Sequence, residues 1–219
     1  MNEPIRILLG DDHRIVREGL KQVFADAPDI DVCREAADGE EVLRAVEALR
    51  GNAGLDAVLL DIAMPGRDGL DVLQALRRAW PALPVLMLST YPERQYAVRC
   101  IKLGAAGYLN KGADADDIIA AVRKVAGGGV YVTPATAEAL ASAVGGAAAR
   151  FGPEALSHRE YQVYRLLTAG HSVSEIGAQL QLAPNTVSTY RARILEKTGA
   201  RNDVELALYA ERHARPPAT

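Results

Sequence analysis

From Ile5 onward, short apolar runs alternate with longer segments whose apolar residues recur at helical spacing. Ile5–Leu9 is a β-type run that stops at Gly10-Asp11-Asp12, and Ile15, Val16, Leu20, Val23 and Phe24 then follow at helical spacing. Ile30–Cys33 begins a weaker strand, and Asp38–Arg50 reads as a helix with Val42, Val46 and Leu49 on one side. Ala57–Leu60 is a strand ending in Asp61, followed by a helix carrying Leu70, Val72, Leu73 and Leu76. Pro84–Leu88 ends in Ser89-Thr90, and Val98, Ile101 and Leu103 lie on the next helix. Tyr108-Leu109 is a short strand ending at Lys111, and Asp114–Ala126 is a helix whose acidic first turn suits the helix dipole.

Short, nearly all-apolar strands separated by amphipathic helices predict a parallel sheet covered on both faces. In such sheets ligands bind beyond the carboxyl ends of the strands. The polar residues that interrupt the pattern fall at those ends: Asp11 and Asp12, Asp61, Ser89 and Lys111. Three carboxylates, a hydroxyl and an ammonium are therefore expected on one rim.

Past Ala126 the pattern changes. Gly127-Gly128-Gly129 closes the last helix, residues 134–144 suit a short helix, and Val144–Gly152 has the small-residue composition of a flexible linker. Residues 153–213 carry helical periodicity only. Ser157 and Glu160 suit a capped helix start, with Val163, Leu166 and Leu167 on the apolar face and Gly170 as the stop. Ser172 or Ser174 suits the cap of a short helix with Ile176 and Leu180 inward. Pro184 fits the first position of the next helix, which runs to about Thr198 and stops at Gly199. Asn202–His213 is the fourth, with Leu206, Leu208 and Tyr209. The expected boundaries are an α/β domain over 1–126, a linker with a short helix over 127–152, an all-α four-helix domain over 153–213 and a tail over 214–219.

Composition supports two small folded domains: 49% of the 219 residues are apolar, enough for a core in each. Residues 1–130 carry 16 Lys+Arg against 20 Asp+Glu, and residues 151–219 carry 8 against 7. The helical domain is thus near neutral, and charge alone does not point to nucleic acid. Cys33 and Cys100 are too few for a disulfide scaffold and lack metal-ligand spacing. The N-terminus lacks the long apolar run of a signal peptide and no apolar stretch is long enough to span a membrane, so a cytoplasmic protein without a membrane partner is expected.

Adjacent aspartates facing a third across a sheet edge repel one another, and such a cluster either raises its pKa values or recruits a cation. Oxygen-only ligands favour a hard ion such as Mg²⁺. A carboxylate can also act as a nucleophile and form an acyl phosphate. The arrangement resembles two-component response regulators over about residues 5–126. Asp11-Asp12 resemble the family's acidic pair, Asp61 within LLDIAMPGRDGLDVL its phosphoacceptor, Ser89 its switch hydroxyl, Tyr108 in GAAGYLNK its switch aromatic, and Lys111 its lysine. The resemblance implies a flavodoxin-like, doubly wound five-stranded sheet and a Mg²⁺ held by Asp11, Asp12, Asp61 and the backbone carbonyl of Ala63. Many members have proline after the lysine, and here Gly112 stands there.

Two short helices joined by a tight turn, the second longer and rich in Asn, Ser, Thr and Arg, describe a helix-turn-helix. On the second helix Val187, Ile194 and Leu195 are expected inward. Asn185, Ser188, Thr189, Ala192 and Arg193 are expected outward, toward base edges in a major groove. Arg191, Arg193 and Lys197 suit phosphate. The string LSHREYQVYRLLTAGHSVSEIGAQLQLAPNTVSTYRARILEKTGA resembles the LuxR/NarL-type DNA-binding domain, with Thr186-Val187, Ile194 and Lys197 at its characteristic positions.

Together the two resemblances imply a response regulator of the NarL/FixJ kind. Its expected partners are a sensor histidine kinase, double-stranded DNA, a second copy of itself on phosphorylation, and RNA polymerase. Two rivals differ in class. A metal-dependent phosphatase needs a second carboxylate two residues past the nucleophile, where this chain has Ala63. A receiver that only binds proteins is compatible with the near-neutral C-terminal charge.

Overall fold

The computed structural model describes residues 3–50, 54–90, 93–144, 156 and 158–214. Ser157, expected as a helix cap, the linker residues 145–152 and the tail residues 215–219 lie outside the described residues. Two compact units are present, Met1–Ala143 and Val144–Thr219.

In the first unit the strands are β1 (Ile5–Gly10), β2 (Ile30–Ala36), β3 (Ala57–Asp61), β4 (Val85–Ser89) and β5 (Gly107–Asn110). The helices are α1 (Arg14–Ala25), α2 (Gly39–Arg50), α3 (Gly69–Ala79), α4 (Glu93–Lys102), α5 (Ala115–Ala126) and α6 (Pro134–Val144). All strand pairs are parallel, in the order β2-β1-β3-β4-β5. The central strands β3 and β4 are buried along their whole length, which explains their unbroken apolar sequence. Alternation splits each strand between two faces. Ile7, Leu9, Leu59, Leu86, Leu88 and Leu109 pack with Leu20 and Phe24 of α1 and Ile118, Val122 and Val125 of α5.

The edge strand β2 runs three residues past the expected Cys33. Its Arg34 and Glu35 pair along β1, and Glu35 is held by Arg17 at 3.0 Å and Lys21 at 2.7 Å. An edge strand needs only one covered side, so charged residues can continue it. The chain leaves β1 for β2 on one side and crosses back to β3 on the other. The loops after β1 and β3 therefore diverge and open a crevice at the switch point.

The second unit contains α7 (His158–Thr168), α8 (Val173–Leu180), α9 (Pro184–Thr198) and α10 (Asp203–Ala214). Val163, Ile176, Val187, Ile194 and Leu206 form its fully buried centre. Tyr161 and Tyr164 are also buried, with ring centroids 5.5 Å apart. On α10 Leu206 is buried and Leu208 is exposed.

Of the two serines expected before α8, Ser172 is the cap. Its hydroxyl accepts the Glu175 N–H, and the Glu175 carboxylate accepts the Ser172 N–H at 2.8 Å. These bonds hold the Glu175 carboxyl below its ordinary value, so the cap is complete at neutral pH and is lost on acidification through that lowered value. Ser172→Ala is expected to cost about 1 kcal/mol, read as a lower urea midpoint for the C-terminal unit. Gln181 then turns the chain in the left-handed region, φ 55°, and Leu182 N–H bonds back to Gly177 O at 2.8 Å. A Cβ at Gly177 would meet the Leu182 carbonyl at 2.7 Å, so this tight turn requires glycine there.

Candidate functional site

The rim of the sheet gathers the expected groups. Asp11 follows β1, Asp61 closes β3, Ser89 closes β4 and Lys111 follows β5. Lys111 Nζ lies 2.6 Å from Asp11 Oδ2 and 2.8 Å from Asp61 Oδ2. Its backbone N–H bonds to Ser89 O at 2.8 Å, which fixes it against the end of β4. Gly112, where proline is common in the resembled family, donates its N–H to Asn110 Oδ1 at 2.8 Å. Proline has no N–H to donate, so this turn is held by a bond that the commoner residue could not make.

Asp11, Asp61 and Ser89 are buried, Asp12 is partly exposed, and Tyr108 is buried in β5. Burial pushes the Asp61 carboxyl above its ordinary value, and the nearby Lys111 opposes that shift without cancelling it. Burial also disfavours the Lys111 ammonium, but hydrogen bonds and charges from Asp11 and Asp61 outweigh it and raise the group above its ordinary value. The pocket therefore holds a firmly charged lysine beside an unusually basic carboxylate.

Donor oxygens of Asp11, Asp12 and Asp61 lie within 4.8 Å of one another, together with a ring nitrogen of His13. A set of converging carboxylates fits a divalent cation. Ala63, whose carbonyl was expected to join them, sits two residues past Asp61 in the exposed start of the β3–α3 loop.

That loop returns close to β3: Gly69 N–H bonds to Ile62 O at 2.9 Å. A Cβ at Gly69 would overlap the Asp61 carbonyl oxygen, so glycine is required directly behind the acceptor position. Asp68 caps α3 by accepting the Leu70 N–H at 2.8 Å.

Three residues of this neighbourhood were not singled out from the sequence. His13 carries a ring nitrogen to the acidic pair, 2.7 Å from Asp12 Oδ1. Arg17 donates to the Asp11 carbonyl at 2.7 Å and to Glu35 at 3.0 Å, tying α1 and β2 to the acidic turn. Glu35 anchors that tie. The DDH string after an apolar run was the available signal for His13; nothing local marks Arg17.

In the second unit α9 exposes Asn185, Thr186, Ser188, Thr189, Ala192 and Arg193 and buries Val187 and Ile194. Leu195, expected inward, is half-buried. An open depression is lined by Asn185, Thr186, Thr189, Tyr190 and Arg193, of which Tyr190 was not anticipated. Arg191 is tied to Asp203 at 2.7 Å, and Lys197 to the buried Glu160 at 2.7 Å. Two of the three expected phosphate cations are thus held by carboxylates of their own domain.

The family model described as "Response regulator receiver domain" matches residues 7–123, and the one described as "Bacterial regulatory proteins, luxR family" matches residues 154–210. The chain belongs to the response regulators. Response regulator GacA of Pseudomonas aeruginosa is 37% identical over 95% of this chain and 96% of its own length. Response regulator UvrY of Escherichia coli is 38% identical over 95% of this chain and 94% of its own. Among solved structures, RcsB of Salmonella enterica serovar Typhimurium bound to promoter rprA with the phosphomimetic BeF3⁻ superimposes with a TM-score of 0.71 at 21% identity, covering 95% of this chain and 99% of that one. At that identity the likeness carries the fold alone.

This response regulator therefore combines a receiver domain, whose rim holds the acidic pocket, with a LuxR-type DNA-binding domain, and it is a regulator of transcription. Among the described residues no helix is long and apolar enough to cross a membrane.

Proposed function

We propose that Asp61 is the phosphoacceptor and that its phosphorylation controls DNA binding by the C-terminal domain. The observation that carries this is Lys111 Nζ lying within 2.8 Å of both Asp61 and Asp11 on one rim. The phosphoryl group comes from a histidine of a sensor kinase: the N–P bond breaks as an Asp61 carboxylate oxygen forms the new O–P bond. Asp11, Asp12, Asp61 and the Ala63 carbonyl would hold Mg²⁺. When bound, the ion offsets the negative charge of the phosphoryl oxygens.

Asp61 supplies the nucleophile, and its raised basicity serves that role. Lys111 exchanges its contact with Asp61 for one with the phosphoryl oxygens. Ser89 donates a hydrogen bond to the same group. The modification adds roughly −1.5 to −2 charge at the rim. Ser89 and Tyr108 reposition in response and bias the surface formed by α4, β5 and α5. Chemistry ends at this group's own transfer and its slow hydrolysis, since Ala63 offers no general acid where a phosphatase needs one.

The receiver occupies residues 1–126, the linker 127–152 and the DNA-binding domain 153–213. Two phosphorylated copies bind two half-sites of double-stranded DNA, as helix-turn-helix proteins commonly do. Asn185, Thr186, Ser188, Thr189 and Ala192 face the major groove, and Arg193 reaches phosphate. Arg191 and Lys197 contact phosphate only by giving up Asp203 and Glu160. RNA polymerase is the downstream partner, and the protein acts in the cytoplasm.

The test uses full-length protein, acetyl phosphate and Mg²⁺. One phosphoryl group should appear on Asp61 by mass spectrometry, chelation should prevent it, and the modified protein should retard DNA from upstream of its own gene. A label mapped elsewhere, or one that survives chelation, overturns the acceptor reading. Labelling without DNA retardation points instead to a receiver that acts on proteins.

A further inference from the structure

We infer that Arg17 is a positioning residue for the receiver's chemistry: braced on Glu35, its guanidinium holds the peptide between Asp11 and Asp12 and so presets the acidic pair. This deepens the proposed reading of Asp61 as acceptor with Asp11 and Asp12 as cation ligands, and it rests on that reading. Arg17 acts through the backbone and is not itself a ligand.

The two arms of the guanidinium carry the inference. Nη1 donates to the Asp11 carbonyl oxygen at 2.7 Å, and Nε donates to Glu35 Oε2 at 3.0 Å. The gripped carbonyl belongs to the peptide that joins Asp11 to Asp12. A peptide unit is planar, so holding its oxygen sets the direction in which Asp12 leaves the turn. The other side of Asp11 is fixed by the sheet, where its N–H donates to Ala36 O at 3.0 Å. Its carboxylate accepts the His13 N–H at 2.8 Å and lies 2.6 Å from Lys111. Arg17 thus adds a hold on the next link of the chain. Helix geometry aims it there: Arg17 is one turn into α1, its N–H bonds to His13 O at 3.2 Å, and helical side chains lean toward the N-terminus.

Neutralising Glu35 does not account for this arrangement. Lys21 Nζ lies 2.7 Å from Glu35 Oε1, so that carboxylate has a second cation. The Arg17 side chain is only 14% exposed, which is a costly place for a cation that served surface charge alone. Glu35 pairs with Leu9 of β1, two positions before Asp11. It is therefore a fixed post on the sheet, and the planar fork spans from it to the carbonyl. A lysine ammonium is a compact point charge without that fork.

The test uses full-length protein freed of metal by chelation and dialysis, as wild type, Arg17→Met, Arg17→Lys and Glu35→Gln. Calorimetric titration with Mg²⁺ alone should show affinity weakened about tenfold by Arg17→Met and about threefold by Glu35→Gln, with Arg17→Lys between wild type and Arg17→Met. In acetyl phosphate labelling, half-saturation by Mg²⁺ should rise by the same factors. The labelling rate at saturating Mg²⁺ should stay within about twofold, because the acceptor and Lys111 are untouched. A merely structural role would lower the melting temperature and leave Mg²⁺ affinity alone. Unchanged affinity in Arg17→Met therefore overturns the inference, as does a labelling rate that Mg²⁺ cannot restore. If Arg17→Met does not fold, Glu35→Gln decides, since Glu35 is partly exposed and the variant keeps its shape; unchanged Mg²⁺ affinity there overturns the inference as well. A wild type that binds Mg²⁺ and labels on Asp61, with variants that match it, leaves the acceptor reading standing and removes only the role of Arg17. A wild type that binds no Mg²⁺, or labels elsewhere, removes both.

Discussion

Asp61→Asn is expected to take up no phosphoryl group from acetyl phosphate while melting no lower than the wild type. The amide keeps the shape of the side chain at the buried end of β3 but loses the anionic oxygen that must form the O–P bond. It also removes one carboxylate of the cation site. The sign of the stability change follows from the direction of the shift. A carboxyl whose value is raised in the folded state is destabilising once the pH exceeds its unfolded value, so neutralising it relieves the fold at neutral pH. Lys111 retains its partner Asp11, 2.6 Å away. A phosphate-affinity gel beside a thermal melt separates the outcomes. Labelling of the variant would assign the acceptor to another carboxylate, and a collapsed melt would mean that the loss of labelling reports unfolding.

Lys197→Met is expected to destabilise the C-terminal unit by about 2–3 kcal/mol, somewhat less than a fully enclosed pair, because the lysine remains partly exposed. Glu160, only 3% exposed, would lose the ammonium that lies 2.7 Å from its carboxylate. Replacing both partners, as Glu160→Leu with Lys197→Met, should recover most of that loss, since an apolar pair carries no desolvation cost. DNA binding separates Lys197 from Arg193. Arg193→Ala should reduce the salt slope of binding by about 0.9, because one DNA phosphate is no longer neutralised. Lys197→Met should change it less, because this cation is already neutralised within the domain. An unchanged urea midpoint for Lys197→Met would remove the structural role assigned to the pair.

The receiver pocket was legible because its strands are so uniformly apolar. In Ala57–Asp61 or Val85–Ser89 a single polar residue at the carboxyl end stands out, and parallel topology places all such ends on one rim. The continuation of β2 through Arg34 and Glu35 was not legible, because an edge strand tolerates charge and its partners Arg17 and Lys21 lie on a different element. His13 was read past because histidine after an acidic pair has several local explanations, and only the folded turn aims its nitrogen. The burial of Tyr161 and Tyr164 was hidden among Arg159, Glu160, Gln162 and Arg165. The Glu160–Lys197 pair spans 37 positions, and no periodicity links its ends. Local pattern shows which face of a helix is apolar; it does not show which charges on the remaining faces find each other.

The strand order has a bearing on synthesis. Both carboxylates that flank Lys111 sit at the carboxyl ends of the inner strands β1 and β3, but the lysine itself follows β5, which completes the sheet at its outer margin. A growing polypeptide that has left the ribosome only through β4 would present two buried acids with no cation between them. Signal competence thus arrives late in translation, with the docking of the last strand, and a truncated product ending before residue 111 is mute however well its first four strands assemble.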